Sequence, residues 1–441
     1  MKKNLTKVLA LSLCAAMAFS MAACSSGGSN DGGNKETQAQ GSADGKMESG
    51  VLQVSIWDKN QQPGLQKIMD KWTETSGVKV SIVVTPWDQY WTQLEAGATG
   101  GDLPDVFWMH SNNSNNYMSS GLLMDLTEEV TPNVDKYNDG ILSLYTYDSK
   151  YYAVPKDIDT IALWYNKKMF DAAGVDYPNE NWTWDDFAAA AKKLTNKDKG
   201  EYGFAMKTSN NQDNWYNVVY SMGGNIISED MKKSGLDDEN TLKAMNFLTD
   251  LLKEVAPEYS TVSENGPDAL FQSGKLAMTM QGSWQVPAFM DDDNVKSFGD
   301  VAVLPKDATT GNRSSCVNGL GWSIDAKTEM PNAAKSLVTY LGTEEAQKMQ
   351  ADLGVTMSAL KDTKLSTAWQ DTYNKTFAGI GAYVDTLDNA TLITRPHSVK
   401  TTSKWEDALS TDLVNAFSGT QDTTEACKAV AAKMNDMLAS E

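Results

Sequence analysis

From residue 51 the apolar pattern changes period twice within three dozen residues. Leu52, Val54 and Ile56 alternate, Leu65, Ile68, Met69 and Trp72 recur at helical spacing, and Val78, Val80, Ile82 and Val84 alternate again. Successive side chains of a strand point to opposite faces, whereas a helix brings every third or fourth residue onto one stripe, so the segment reads as strand, helix, strand. Two strands joined through a helix pair in parallel with a right-handed crossover, which points to an α/β fold. A third strand is expected over Asp105–Phe107, after the turn Gly100-Gly101-Asp102-Leu103-Pro104. Trp57, Trp87 and Trp108 then each fall just past the carboxyl end of a strand. Open α/β sheets bind ligands in the crevice outside those ends, so three indoles gathered there predict a binding floor.

Other tryptophans have a packing role to fill. Trp72 lies on the apolar face of its helix, and Trp91 with Leu94 fits the buried face of the next one. In Trp182-Thr183-Trp184-Asp185-Asp186-Phe187, Thr183 can cap a helix while Trp182 and Phe187 staple its entry.

The amino terminus predicts export. Lys2, Lys3 and Lys7 precede an apolar run from Val8 to Ala23, too short to span a bilayer comfortably, and Ala22-Ala23 lead directly into Cys24. Residues 1–23 are therefore read as a signal peptide. The cysteine after a small pair, followed by Ser25-Ser26-Gly27-Gly28, resembles the lipobox of bacterial lipoproteins, in which the thiol is acylated. Residues 24–49, rich in Gly, Ser, Asn and Asp, are expected to form a flexible tether that holds the body at the extracellular face of the cell membrane by the lipid anchor only. The remaining roughly 390 residues are long enough for two or more lobes.

Charge narrows the partners. The chain carries −20, or −23 without the three lysines of the leader, and no basic patch is present to neutralise phosphates, so nucleic acid is excluded as a partner. Arginine occurs twice, at Arg313 and Arg395, which argues for a neutral or cationic ligand over an anionic one. His110 and His397 are the two histidines, and no His/Cys spacing suggests a metal site; no phosphate-cradling loop occurs, and no cofactor is expected. Cys316 and Cys427 remain after the leader; spacing leaves their pairing open, with buried free thiols the favoured reading.

Several runs resemble one family in order along the chain. They are Leu103-Pro104-Asp105-Val106-Phe107-Trp108-Met109-His110, Ser120-Gly121-Leu122-Leu123, Ile161-Ala162-Leu163-Trp164-Tyr165-Asn166, Trp184-Asp185-Asp186-Phe187, Met280-Gln281-Gly282-Ser283-Trp284 and Gly319-Leu320-Gly321-Trp322-Ser323-Ile324. Together they resemble the extracellular solute-binding proteins of carbohydrate ABC importers, the maltose-binding protein family. Ser111-Asn112 stands where the maltose protein carries an Asp-Arg pair, a departure that counts against maltodextrin itself.

The resemblance implies a two-lobed periplasmic-binding-protein-like fold of type II, with hinge crossovers and a carbohydrate ligand enclosed as the lobes close. One lobe would take residues 50–156 with about 320–360, the other 157–319 with about 361–441, and 157–160 would be one crossover. It also implies permease subunits of an ABC importer as partners, a monomer, and no enzymatic activity. An indole stacks on the apolar face of a sugar, and carboxylates accept from its hydroxyls. The candidate ligand contacts are Trp57, Asp58, Trp87, Trp108, Asn112, Asp159, Trp215, Trp284 and Arg395, with Gln61, Asp88 and Trp405 as further candidates. Alternatives are a binder of a polyamine or another non-sugar solute, or a surface glycosidase working through two carboxylates.

Overall fold

The computed structural model describes residues 46–441, and these belong to one compact unit. The leader, Cys24 and the tether through residue 45 lie outside the described residues. Residues 46–49, expected to belong to the tether, already grip the body. The Glu48 carboxylate accepts from the backbone N–H groups of Asn332 (3.2 Å) and Ala333 (2.9 Å), capping the start of the helix Pro331–Leu341, where a negative charge is favoured.

The first sheet has five strands in the order Lys79–Val84, Val51–Ile56, Val106–Met109, Gly321–Ile324 and Val154–Pro155. Its first three strands are parallel, and Gly321–Ile324 runs antiparallel to both of its neighbours. The strand, helix, strand unit forms as its periodicity requires. Helix Gln62–Ser76 has Pro63 in its first turn, buries Leu65, Ile68, Met69 and Trp72 against the sheet, and stops at Gly77, whose φ of 74° closes the left-handed cap. The third strand runs two residues further than its sequence suggests. Gly321–Ile324 lies alongside and pairs Trp322 with Trp108 and Gly321 with Met109, so Trp108 falls inside the strand.

The second sheet has four strands in the order Gly299–Ala302, Ile161–Asn166, Leu276–Gly282 and Tyr202–Phe204. All six residues of Ile161–Asn166 are buried, without alternation, because both faces of this sheet are covered. Trp164 meets Phe289 (4.8 Å between centroids) and Phe377 (4.9 Å) on one face, while Ile161, Leu163 and Tyr165 join the cluster of Trp215, Met245 and Trp405 on the other. Helix Trp184–Leu194 starts with a full capping box. The Thr183 hydroxyl accepts from the Asp186 N–H, and the Asp186 carboxylate accepts from the Thr183 N–H at 2.9 Å.

Three stretches run side by side between the sheets. Asp159 bridges to Asn318, and Asp157 bridges to Ser358. The side-chain amides of Gln347 (3.1 Å) and Gln350 (2.9 Å) both donate to the Lys156 carbonyl, which ties the crossings to the helix Glu344–Asp352. Cys316 and Cys427 are both buried free thiols, pushed up to about 12 by burial. No helix among the described residues is long and apolar enough to cross a membrane.

Candidate functional site

Parallel neighbours end at one edge of a sheet, so the loops that follow them converge. Val51–Ile56 lies between Lys79–Val84 and Val106–Met109, which brings together Trp57, Trp87 and His110. The Trp57 and Trp87 rings meet edge to face at 5.0 Å and 87°, and Trp87 meets His110 at 5.3 Å. Trp57 is braced from behind by Trp108 (4.8 Å) and Tyr90 (5.0 Å), while Trp87 remains 38% exposed. Asp58 shapes the loop after the first strand by accepting from the Asn60 N–H (2.8 Å) and the Gln61 side-chain amide (3.1 Å).

The crossings form the back of the site. The fully buried Lys156 ammonium lies 4.8 Å over the Trp108 ring and donates to Gln61 Oε1 (2.8 Å) and Thr356 Oγ1 (3.3 Å). It also pairs with Asp157, whose other oxygen accepts from the Leu320 N–H at 2.7 Å. Asp159 accepts from the Ser283 hydroxyl. Burial, reinforced by Asp157, pushes its carboxyl up to about 8 against the opposing effects of Ser283 and Lys156. The sequence suggests an ionised acceptor at this position; burial beside Asp157 instead favours the protonated acid, which can donate as well as accept.

The second sheet supplies the opposite wall. A π-helical turn over Asn211–Trp215 presents Gln212 and Asp213. The Asp213 carboxyl accepts from the side-chain amides of Asn210 (3.1 Å) and Asn214 (3.1 Å). Burial and then Asp268 push it up to about 7. Asp268 follows a break in the helix Tyr259–Gln272, where Gly266 has φ 80° and Pro267 comes next. Burial holds its carboxyl near 6, partly offset by Lys207 and by the amide of Gln281, which donates to it. Trp284 arrives through Gly282, where a Cβ would run into the indole ring.

These walls enclose a cleft of about 410 Å³, within the usual range for small-molecule sites. Among the candidates from sequence, Trp57, Asp58, Gln61, Trp87, Asp159 and Trp284 line it. Others do not. Trp108 is fully buried inside its strand as the support beneath Trp57. Trp215 is also fully buried and donates its indole N–H to the Thr208 carbonyl at 2.9 Å, so it belongs to the core under the π-turn. Arg395 is buried in an ion pair with Glu406 (2.7 Å) behind the site, where the guanidinium has a fixed partner and no access to solvent. Asn112 turns its amide to His110 Nδ1 at 2.9 Å, Asp88 is exposed in the first turn of its helix, and Trp405 is core.

Sequence reasoning missed His110, Asn318, Gln212, Asp213, Asp268 and Gln281 as lining residues. The polar run before Trp215 was a signal for Gln212 and Asp213, since so many amides and acids beside a buried tryptophan need a hydrogen-bonding purpose. Asp268 carried no signal beyond the helix-breaking Gly266-Pro267. A larger hollow of about 650 Å³, lined by Gln53, Val83 and Lys327 among others, draws only on residues 51–105 and 325–330 and gathers nothing from the second sheet. The 410 Å³ cleft is the candidate because both sheets and the crossings converge on it.

Residues 58–348 match the family described as bacterial extracellular solute-binding protein. The galactooligosaccharide-binding protein of Bacillus subtilis is 26% identical over 363 residues, covering 79% of each chain. Two solved structures share the fold. An ABC substrate-binding protein of Listeria monocytogenes, in complex with cycloalternan, superposes with a TM-score of 0.78 at 24% identity over 89% of this chain and 99% of its own. The GacH receptor of Streptomyces glaucescens superposes with a TM-score of 0.74 at 22% identity over 89% and 99%. The architecture is therefore the two-lobed α/β fold of type II binding proteins, and the relative is named as a binding protein, not as a glycosidase. With its family model matched over residues 58–348, this chain belongs to the bacterial extracellular solute-binding protein family.

Proposed function

We propose that this protein captures a neutral sugar or short oligosaccharide between its lobes and delivers it to the permease subunits of an ABC importer. The observation that carries this reading is the cleft itself, where Trp57 and Trp87 face Asp213, Asp268, Gln281 and Trp284 across the crossings. A pyranose has an apolar face that an indole covers and a hydroxyl rim that carboxyl and amide groups satisfy, and this cleft offers both at once. The relatives' names point the same way: one binds galactooligosaccharide, and one fold neighbour was solved with cycloalternan. The lobes divide as residues 50–156 with about 320–360, and 157–319 with about 361–441. A ligand that touches both walls only when they approach shifts the hinge equilibrium toward closure.

The body works as a monomer tethered through acylated Cys24. Changing Cys24→Ala should release the chain or leave an uncleaved precursor, and unchanged membrane retention with normal processing overturns the anchor. For the ligand, calorimetric titration of the tagless body against a panel of mono- and oligosaccharides, with polyamines as the competing class, decides. A polyamine binding more tightly than every sugar overturns the carbohydrate reading, and compaction in small-angle scattering on ligand addition supports closure.

A further inference from the structure

Resting on the carbohydrate reading, the hydrogen bonds behind the second-lobe wall identify what holds that wall in place. The π-helical turn Asn211–Trp215 carries two of its lining residues, Gln212 and Asp213. A π-turn is a rare conformation that recurs at functional sites. Its middle is held by the fully buried Asn217. That side-chain amide donates to the carbonyls of Gln212 (2.9 Å) and Asn214 (3.0 Å), and its oxygen accepts from the Cys316 N–H (2.7 Å).

The two ends of the turn meet at one carboxylate. Glu406, buried on the helix Thr402–Asp412, accepts through Oε1 from the Asn211 side-chain amide (3.3 Å) and from the Tyr216 hydroxyl (3.4 Å). Asn211 opens the turn and Tyr216 follows its last residue. Asn211 Oδ1 in turn accepts from the Gln212 N–H at 2.6 Å, so the grip passes directly to a lining residue. The second carboxylate oxygen, Oε2, accepts from Arg395 Nη2 at 2.7 Å.

This ion pair is badly suited to a purely stabilising role. Arg395 is buried, yet its Nε and Nη1 have no partner among the described residues, and it meets Glu406 through one nitrogen where a guanidinium fork can use two. Buried donors without acceptors cost free energy, and apolar residues of similar volume are often as stable as a buried ion pair. What apolar residues lack is an acceptor. An ionised carboxylate has lone pairs enough to take the arginine on one oxygen and both ends of the turn on the other.

We propose that Glu406 is the positioning residue of the second-lobe wall, setting the reach of Gln212 and Asp213 toward a bound sugar by clamping both ends of the π-turn, with Arg395 as its counter-charge. Binding groups must be held to within about 0.5 Å of their productive positions, and a turn loose at both ends does not meet that demand. Arg395 therefore acts on the ligand through Glu406 and the turn, without touching it.

The test separates the grip on the turn from the ion pair. In Arg395→Met/Glu406→Gln the arginine is gone but an amide oxygen remains for Asn211 and Tyr216; in Arg395→Met/Glu406→Leu the acceptor is gone as well. Both are checked for folding by circular dichroism and melting, then titrated calorimetrically with a panel of neutral mono- to tetrasaccharides. The saccharide that binds wild type most tightly should bind the glutamine variant within about threefold of wild type, and the leucine variant about tenfold or more weakly. Amide hydrogen exchange over residues 211–216 should quicken in the leucine variant alone. Asn211→Ala leaves the ion pair in place and removes the turn's own contact with it, so it keeps the test decisive if the leucine variant fails to fold; binding about tenfold weaker is expected. Equal affinity of the two double variants, or unchanged binding by Asn211→Ala, overturns the positioning role while the carbohydrate reading stands. If wild type binds no member of the panel, the carbohydrate reading itself fails.

Discussion

The two walls of the cleft are built from opposite chemistry. The first-lobe wall is aromatic, with Trp57 in the loop after its strand braced edge to face by Tyr90 and Trp108, and Trp87 at the start of the next helix braced edge to face by Trp91. The second-lobe wall is acidic, with Asp213 and Asp268 presented by a π-turn and a broken helix, and Trp284 as its one indole. Interlocked rings pre-organise an apolar surface at little entropic cost, whereas carboxyls held by the amides of Asn210, Asn214 and Gln281 keep further acceptor capacity for a ligand's donors. The aromatic wall thus suits capture, and the acidic wall suits discrimination.

The sharpest way to break this division is to remove tryptophans from different depths of the first wall. Trp108→Ala deletes a fully buried indole and should destabilise the protein by about 3–5 kcal/mol in urea unfolding, because the surrounding sheet cannot close the cavity. Within the second lobe, Arg395→Met should cost about as much, roughly 3–5 kcal/mol, by stranding Glu406. The double variant Arg395→Met/Glu406→Leu should recover most of that loss. A wild-type unfolding midpoint for Arg395→Met would show that the ion pair contributes nothing.

Trp87→Ala acts on an exposed ring. Sugar affinity should fall by roughly 1–3 kcal/mol, the range for uncovering a large apolar contact, with little change in melting temperature. If Trp87→Ala leaves binding untouched, the aromatic wall is not the stacking surface.

Asp159 refines the picture at the hinge. Because burial favours its protonated form, Asp159→Asn should change affinity less than about threefold at pH 7, well under one decade. Wild-type binding should weaken as pH rises through about 8, and the variant should lack that fall. A tenfold loss at pH 7 would mean that the ligand draws Asp159 into its ionised form.

A last prediction concerns how the stability of the protein depends on pH. Asp159, Asp213 and Asp268 keep their protons to about 8, 7 and 6, above the value for an unfolded aspartate near 3.9. Folding therefore takes up protons: the contribution is full below about pH 4, is lost progressively as pH rises from there, and is gone above about pH 8. Melting temperature should decline across that window, and Asp159→Asn/Asp213→Asn should flatten the decline. An equal slope in wild type and variant would remove these carboxyls as the cause.

Much of the first wall was legible. Alternation at Leu52, Val54 and Ile56 and helical spacing at Leu65, Ile68 and Trp72 place Trp57 at a strand end, and Trp87 follows from the next strand by the same reasoning. Trp108 was misread because its strand gains two residues from an antiparallel neighbour more than two hundred residues away. The second wall was nearly opaque. Asp213 and Asp268 come from irregular turns, which carry no periodicity, and their closeness depends on how the π-turn and the broken helix dock on the sheet.

Sequence by itself determined the α/β character, the parallel start of the first sheet, the cap at Thr183, and the run of motifs in family order, because these depend on local periodicity and backbone preference. Tertiary structure alone decided which tryptophans face the cleft and which support it, that Arg395 is taken by Glu406, and that Asp159 holds its proton. Those outcomes depend on burial and on neighbours distant in the chain, and burial is what changes an indole from a stacking surface into core and an aspartate from an anion into an acid.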